Sequence, residues 1–124
     1  MSAWDAAGID TLGAADEVQV TSRREDGSLR PYVTIWAVRL GDDLYVRSAH
    51  GRDNGWFRRA LAAGEGRIRG DGVERDVSFE EPGPEVDGPL HAAFHAKYDQ
   101  YGSQVVDPVV SAESARATFR LVPR

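Results

Sequence analysis

The chain has 124 residues, 41% of them hydrophobic and 28% charged, with a formal net charge of -5. That is enough for one globular domain with a real core, and the acidic balance makes nucleic acid a poor partner. Cysteine is absent, which excludes disulfides, thiolate nucleophiles and Cys-based metal centres; no apolar run approaches the roughly 20 residues of a membrane span, and residues 1–14 lack a leader's basic and apolar regions, so the expectation is a cytoplasmic protein with no membrane partner.

Residues 1–15 read as a short helix or arm, with Trp4, Ile9 and Leu12 at helical spacing, and 16–124 as a single domain. Val18 and Val20 alternate with polar neighbours and predict a strand over 17–23, followed by a turn at Gly27. The 30–40 segment predicts a long strand, with Val33, Ile35 and Ala37 on one face and Thr34, Trp36 and Val38 on the other. Gly41, Asp42 and Asp43 supply hairpin chemistry. The return strand over 43–48 sets Leu44 and Val46 opposite Tyr45 and Arg47. Asp53 reads as the N-cap of a helix that ends near Gly64.

Strands over 66–69 and 73–80 form a second hairpin about Gly70, Asp71 and Gly72. Pro82, Gly83 and Pro84 then break the chain. A helix over 88–101 carries Leu90, Ala93, Phe94, Lys97, Tyr98 and Tyr101 along one side. Residues 105–111 read as a loop, and 115–122 as a last strand with Ala117, Phe119 and Leu121 alternating. Strands joined mainly by hairpins make an antiparallel sheet. The fold class is mainly β (α+β): a six-stranded antiparallel barrel whose edges close on each other, with two main peripheral helices.

Fifteen cations, all arginine except Lys97, offer forks for carboxylate or phosphate. The turn from Ser48 to Asp53 delivers small residues and Arg52 to a helix start, where unpaired N–H groups favour an anion. The plainer reading is a capped helix, and Asp53 repels a phosphate. Thr34 and Trp36 share a face that suits a ring-stacking wall or ordinary core packing. His50 offers a group that titrates near neutral pH, or a solvated turn histidine. Tyr98 and Tyr101, with Lys97 and Asp107, offer a general acid or an aromatic stripe packed on the sheet. His91 and His95 share a helix face, but Ala92 stands where a zinc-protease helix has Glu, so no metal site is assigned.

The run from Arg23 through Arg24, Gly27 and Ser28 to Arg30 and Pro31, followed by Thr34, Ile35 and Trp36, resembles a motif of deazaflavin-dependent nitroreductases. There a Gly-Arg-x-Ser-Gly-x-x-Arg turn precedes a strand. Ser48, Ala49, His50 and Gly51, then Trp56, Phe57, Arg58 and Arg59, resemble the same family's Ser-x-Gly-Gly and Trp-Tyr-x-Asn-Leu segment. Over nearly its whole length the chain also resembles a bacterial family of unknown function related to the FMN-binding split barrels. The departures are Ala49 in place of a lysine, one glycine fewer, and Gly55 rather than proline before Trp56.

The resemblance implies a six-stranded split barrel that forms a homodimer and holds FMN or a deazaflavin coenzyme at the dimer interface. Carried over by position, Ser48, Gly51 and Arg52 lie near the cofactor phosphate, and Arg23, Arg24 and Arg30 face its acidic tail or ribityl chain. Thr34 and Trp36 line the ring site, and Trp56 and Arg59 buttress the helix start. The expected function is hydride transfer to a small conjugated or nitro-bearing substrate, with Tyr98, His50 and Tyr101 as candidate catalytic groups. Two alternatives use the same pocket. One is a cofactor-free cyclase, isomerase or dehydratase of secondary metabolism; the other is a non-catalytic module for a small anionic ligand.

Overall fold

The computed structural model describes residues 3–124. Seven strands form one fully antiparallel sheet: β1 (Val18–Ser22), β2 (Val33–Ile35), β3 (Ala37–Leu40), β4 (Asp43–Arg47), β5 (Glu65–Gly70), β6 (Val73–Glu80) and β7 (Thr118–Pro123). Their order is β2-β1-β5-β6-β7-β4-β3. The two ends of that order are consecutive in sequence, so the sheet nearly closes on itself as a barrel. The long strand expected over 30–40 is the closing piece, and it is cut at Trp36. Its first half pairs with β1 and its second with β4.

The cut has a local cause. The Tyr98 hydroxyl accepts from the Ala37 N–H at 3.3 Å, and the Ala37 carbonyl accepts from Lys97 Nζ at 2.6 Å. Side chains from a helix therefore hold the main chain at the point where it changes ladder partner. Alternation still runs through the break. Val33, Ile35 and Ala37 pack on the barrel interior, while Trp36, Val38 and Leu40 pack on an outer cluster with Tyr45, Leu90, Phe94 and Tyr98.

Helix α1 spans Ala6–Ala14. Asp5 caps it by accepting from the Gly8 N–H at 2.9 Å, and Ile9 and Leu12 are buried. Helix α2 (Gly55–Ala63) buries Phe57 and Ala60 and ends at Gly64, whose φ of 74° needs no Cβ. Its N-cap is Asn54, not Asp53, and no side-chain cap bond is made there. Phe57 stacks on Phe119 at 4.4 Å inside the barrel. At Gly66, β5 comes so close to β1 that a side chain would run into the Thr21 carbonyl.

Helix α3 (Asp87–Tyr98) covers β3 and gives way to a 3₁₀ turn over Asp99–Tyr101, so the expected helix over 88–101 is shorter and tighter at its end. The expected loop over 105–111 is instead wound: α4 (Ser103–Val106), a 3₁₀ turn (Asp107–Val110) and α5 (Ala112–Ala115). Pro108 removes an N–H, and Ser111 caps α5 by accepting from the Ser114 N–H at 3.1 Å, which keeps these pieces short. The last strand consequently starts at Thr118 rather than 115. Among the described residues, no helix is long and apolar enough to cross a membrane.

Candidate functional site

The break in the closing strand opens a groove of about 300 Å³, and Thr34, Trp36, His50, Trp56 and Val109 stand in its walls. Three chain segments meet there: the β2–β3 strand, the turn before α2, and the wound segment after α3. One face of Trp36 lies flat on Tyr98, with ring centroids 3.9 Å apart and an interplanar angle of 3°. Tyr101 stands 6.3 Å from the same indole and is 44% exposed. Four of the residues singled out from sequence, Thr34, Trp36, His50 and Trp56, are thus brought together.

Tyr98 is not free to face this groove. It is fully buried, and besides accepting from Ala37 its hydroxyl lies 2.9 Å from the Asp16 carbonyl and 3.1 Å from that of Ala37. Burial pushes its pKa up, so it stays a neutral donor to main-chain oxygen. Beside it, Lys97 donates to the carbonyls of Gly13 and Ala37, and burial pulls its pKa down to about 8. The two side chains brace the segment that carries Trp36.

Trp56 also walls a small cavity of about 10 Å³, shared with Arg30, Arg59 and Val33. Arg30 and Arg59 in turn line an open groove of about 540 Å³ with Arg23, Arg58 and Glu25. An aromatic groove therefore joins a cationic one through Trp56 and Arg59. Arg23 is committed to structure, bonding Asp76 at 3.1 Å and the Gly27 carbonyl at 2.8 Å. Among the described residues, Arg30, Arg58 and Arg59 form no ion pair. Arg30 Nε is buried without a hydrogen-bond partner.

The turn at 48–53 lies elsewhere in its allegiance. Ser48 is fully buried, its N–H given to Ala117 at 3.0 Å and its hydroxyl accepting from the His50 N–H at 3.3 Å. Gly51 has φ 77° and faces the Glu113 side chain. Arg52 pairs with Glu81 and donates to the Arg116 carbonyl at 2.7 Å. Of the three expected phosphate contacts, Gly51 and Arg52 lie beside carboxylates and Ser48 is bonded to its own turn and to Ala117. Arg24 is spent on its own turn, donating to the Leu29 carbonyl at 2.9 Å.

Sequence reasoning did not place Arg47, which adjoins the groove. Its side chain is fully buried, donating to Thr118 Oγ1 at 2.8 Å and the Val109 carbonyl at 3.1 Å. The only signal was its place on the Tyr45 face of β4, where a cation opposite α3 needs buried partners. His95 bonds Asp99 at 2.7 Å, and His91 Nε2 is buried without a partner. Among the described residues, no cluster of three or more His, Asp or Glu is arranged to hold a metal.

A family model described as "Uncharacterized protein conserved in bacteria (DUF2255)" matches residues 8–121. The chain belongs to that family. No curated protein matches its sequence. Solved structures share the barrel. An "F420 Reductase" superposes with a TM-score of 0.64 at 15% identity, covering 98% of this chain and 96% of its own. A conserved hypothetical protein from Mycobacterium tuberculosis gives 0.64 at 14% identity, covering 98% and 81%. A FAD-binding protein from Mesorhizobium loti gives 0.61 at 19% identity, covering 98% and 91%. At these identities the likeness establishes a common fold, which is the α+β barrel expected from the sequence.

Proposed function

We propose that this DUF2255 chain is a split-barrel oxidoreductase-like protein that binds FMN or a deazaflavin coenzyme along the strip from Trp36 to Arg58. Its role is hydride transfer to a small conjugated or nitro-bearing substrate. The observation that carries this reading is the junction at Trp56 and Arg59. A groove with a flat aromatic wall meets one in which Arg30, Arg58 and Arg59 have no carboxylate partner among the described residues. Such a strip suits a ligand with a conjugated head and an anionic tail. A volume of about 300 Å³ lies at the lower end of what small-molecule sites use. The likeness to an F420 reductase and a FAD-binding protein is consistent with it.

The residues fit the group. Arg30 brings a buried, unpartnered Nε, and Arg58 and Arg59 bring exposed guanidinium groups that grip phosphate or carboxylate as forks. Thr34 supplies a hydroxyl and Trp36 a face beside the ring. When bound, the coenzyme supplies the hydride chemistry; the protein orients its ring and keeps water away. Tyr98 is spent on the main chain and on Trp36, which leaves His50 in the groove wall and Tyr101 near Trp36 as the groups able to give a proton to a substrate. Exposed Val105 in the groove wall and exposed Tyr101 near Trp36 suit a homodimer seam that would close the groove, and a cytoplasmic setting suits the reductant.

The test is titration of purified protein with FMN and with the deazaflavin coenzyme by absorbance and fluorescence, wild type beside Arg59→Gln. Saturable binding of one coenzyme, weakened about tenfold by the substitution, is the expected result. A folded wild-type protein that binds neither overturns the reading. One observation favours a second reading, a non-catalytic binding module: among the described residues, the His50 ring in the groove wall makes no hydrogen bond to a second side chain. In that case a His50→Gln, Tyr101→Phe double variant keeps full affinity for the ligand and no turnover is found in either protein.

A further inference from the structure

Arg47 has no part in the strip just described, yet among the described residues it is the one arginine or lysine lining the ring groove. Its side chain is fully buried. A guanidinium carries five N–H donors. Two meet neutral oxygens, Thr118 Oγ1 and the Val109 carbonyl, and the third partner, Asp87 Oδ1, stands at 3.5 Å, the outer limit of a hydrogen bond. Asp87 is itself 38% exposed and shares its charge with solvent. The remaining neighbours from α3 are the Phe94 ring, 5.6 Å from the guanidinium carbon, and His91, which burial and Arg47 itself keep neutral. Desolvation outweighs the pull of Asp87 and draws the Arg47 pKa down. A buried positive charge is thus left under-compensated behind the groove's inner end. The carboxylate on the same groove, Glu17, is exposed and screened by water.

We propose that the ring groove selects flat conjugated molecules bearing an anionic oxygen, such as an aromatic carboxylate or an enolate, and that Arg47 is the residue that sets this preference. The inference rests on the reading of this groove as the site of a conjugated ligand, and it names that ligand's class. Arg47 acts through its field and through the Val109 carbonyl that it holds in the wall, so it is a positioning and specificity residue. The polarity also orients the ligand: the acidic oxygen lies toward Arg47 and away from the Glu17 carboxylate.

Binding of 4-nitrobenzoate and its neutral isostere 4-nitrobenzamide to the purified protein tests this. The wild type is expected to prefer the anion by about tenfold, and the preference persists at about 0.5 M NaCl because a buried charge is weakly screened. Arg47→Met brings the ratio near one while nitrobenzamide affinity holds. Asp87→Asn, which removes the countercharge, widens the ratio. Equal affinities in the wild type, or a ratio unchanged in Arg47→Met, overturn the assignment and leave the groove reading standing. Failure of the folded wild type to bind either compound removes the groove reading and this inference with it. Should Arg47→Met fail to fold, Asp87→Asn decides alone: a wider ratio supports the proposal, and an unchanged ratio overturns it.

Discussion

Two arginine-bearing surfaces flank α2, and they have opposite fates. The turn at 48–53 presents Arg52 just before the helix, while the neighbouring groove presents Arg30, Arg58 and Arg59. In the turn, Glu81 pairs with Arg52 and Glu113 packs over Gly51. In the groove, Glu25 is the single acid among the lining residues, and Arg30, Arg58 and Arg59 make no ion pair among the described residues. Both surfaces hold cations, glycine and a nearby helix N-terminus. What separates them is the acids that the fold delivers from elsewhere, the segment after β6 and α5 in one case and almost none in the other. An arginine is an anion site only where its charge has not already been matched.

The largest effect that would break this contrast is in the groove. Arg30→Gln with Arg59→Gln should cut affinity for the anionic coenzyme about 100-fold in an equilibrium titration, each lost charge-assisted contact costing roughly tenfold. Gly51→Ala should do the reverse, leaving coenzyme affinity intact while lowering stability by about 1–2 kcal/mol in urea denaturation, because φ is 77° and Glu113 must move. A pH series separates the regions next. Lys97, in the brace under Trp36, has its pKa drawn down to about 8 from 10.5. Between those values the unfolded chain holds more protons than the folded one, so stability rises with pH across that window. Tyr98, shifted up, works the other way above its ordinary pKa of 10.0, where the unfolded chain ionises first. Lys97→Met should flatten the rise between about pH 8 and 10, whereas Arg52→Gln should leave it unchanged. The smallest effect belongs to Arg52→Gln itself: under threefold in affinity and about 0.5 kcal/mol in stability, the usual value of an exposed pair.

Much of the fold was legible in the chain. Alternation of Val18 with Val20, Leu44 with Val46, and Phe119 with Leu121 placed those side chains in the barrel interior, where each is now buried. Gly64 marked the end of α2 because only a residue without Cβ turns left-handed cheaply there. Less legible was the region after α3. Residues 105–111 have no period to read, and one of the bonds that hold their turns comes from Arg47 on a distant strand to the Val109 carbonyl. The cut at Trp36 was equally hidden. The alternating pattern continues through it, and the groups that impose it, Lys97 and Tyr98, lie some 60 residues later.

At the candidate site the same division holds. The aromatic wall was visible because Thr34 and Trp36 fall on the outward face of a strand whose period is set by the backbone alone. The partner that flattens Trp36, and the carboxylates that claim Arg52, came from distant segments and left no trace near either residue. Local sequence determined which face each side chain takes, how the strands alternate and where α2 stops, since those depend on the chain's own dihedral preferences and burial pattern. Only the tertiary structure decided which charges are spent and which remain for a ligand, because charge pairing depends on distance in space and on water access, and the folded barrel alone sets both.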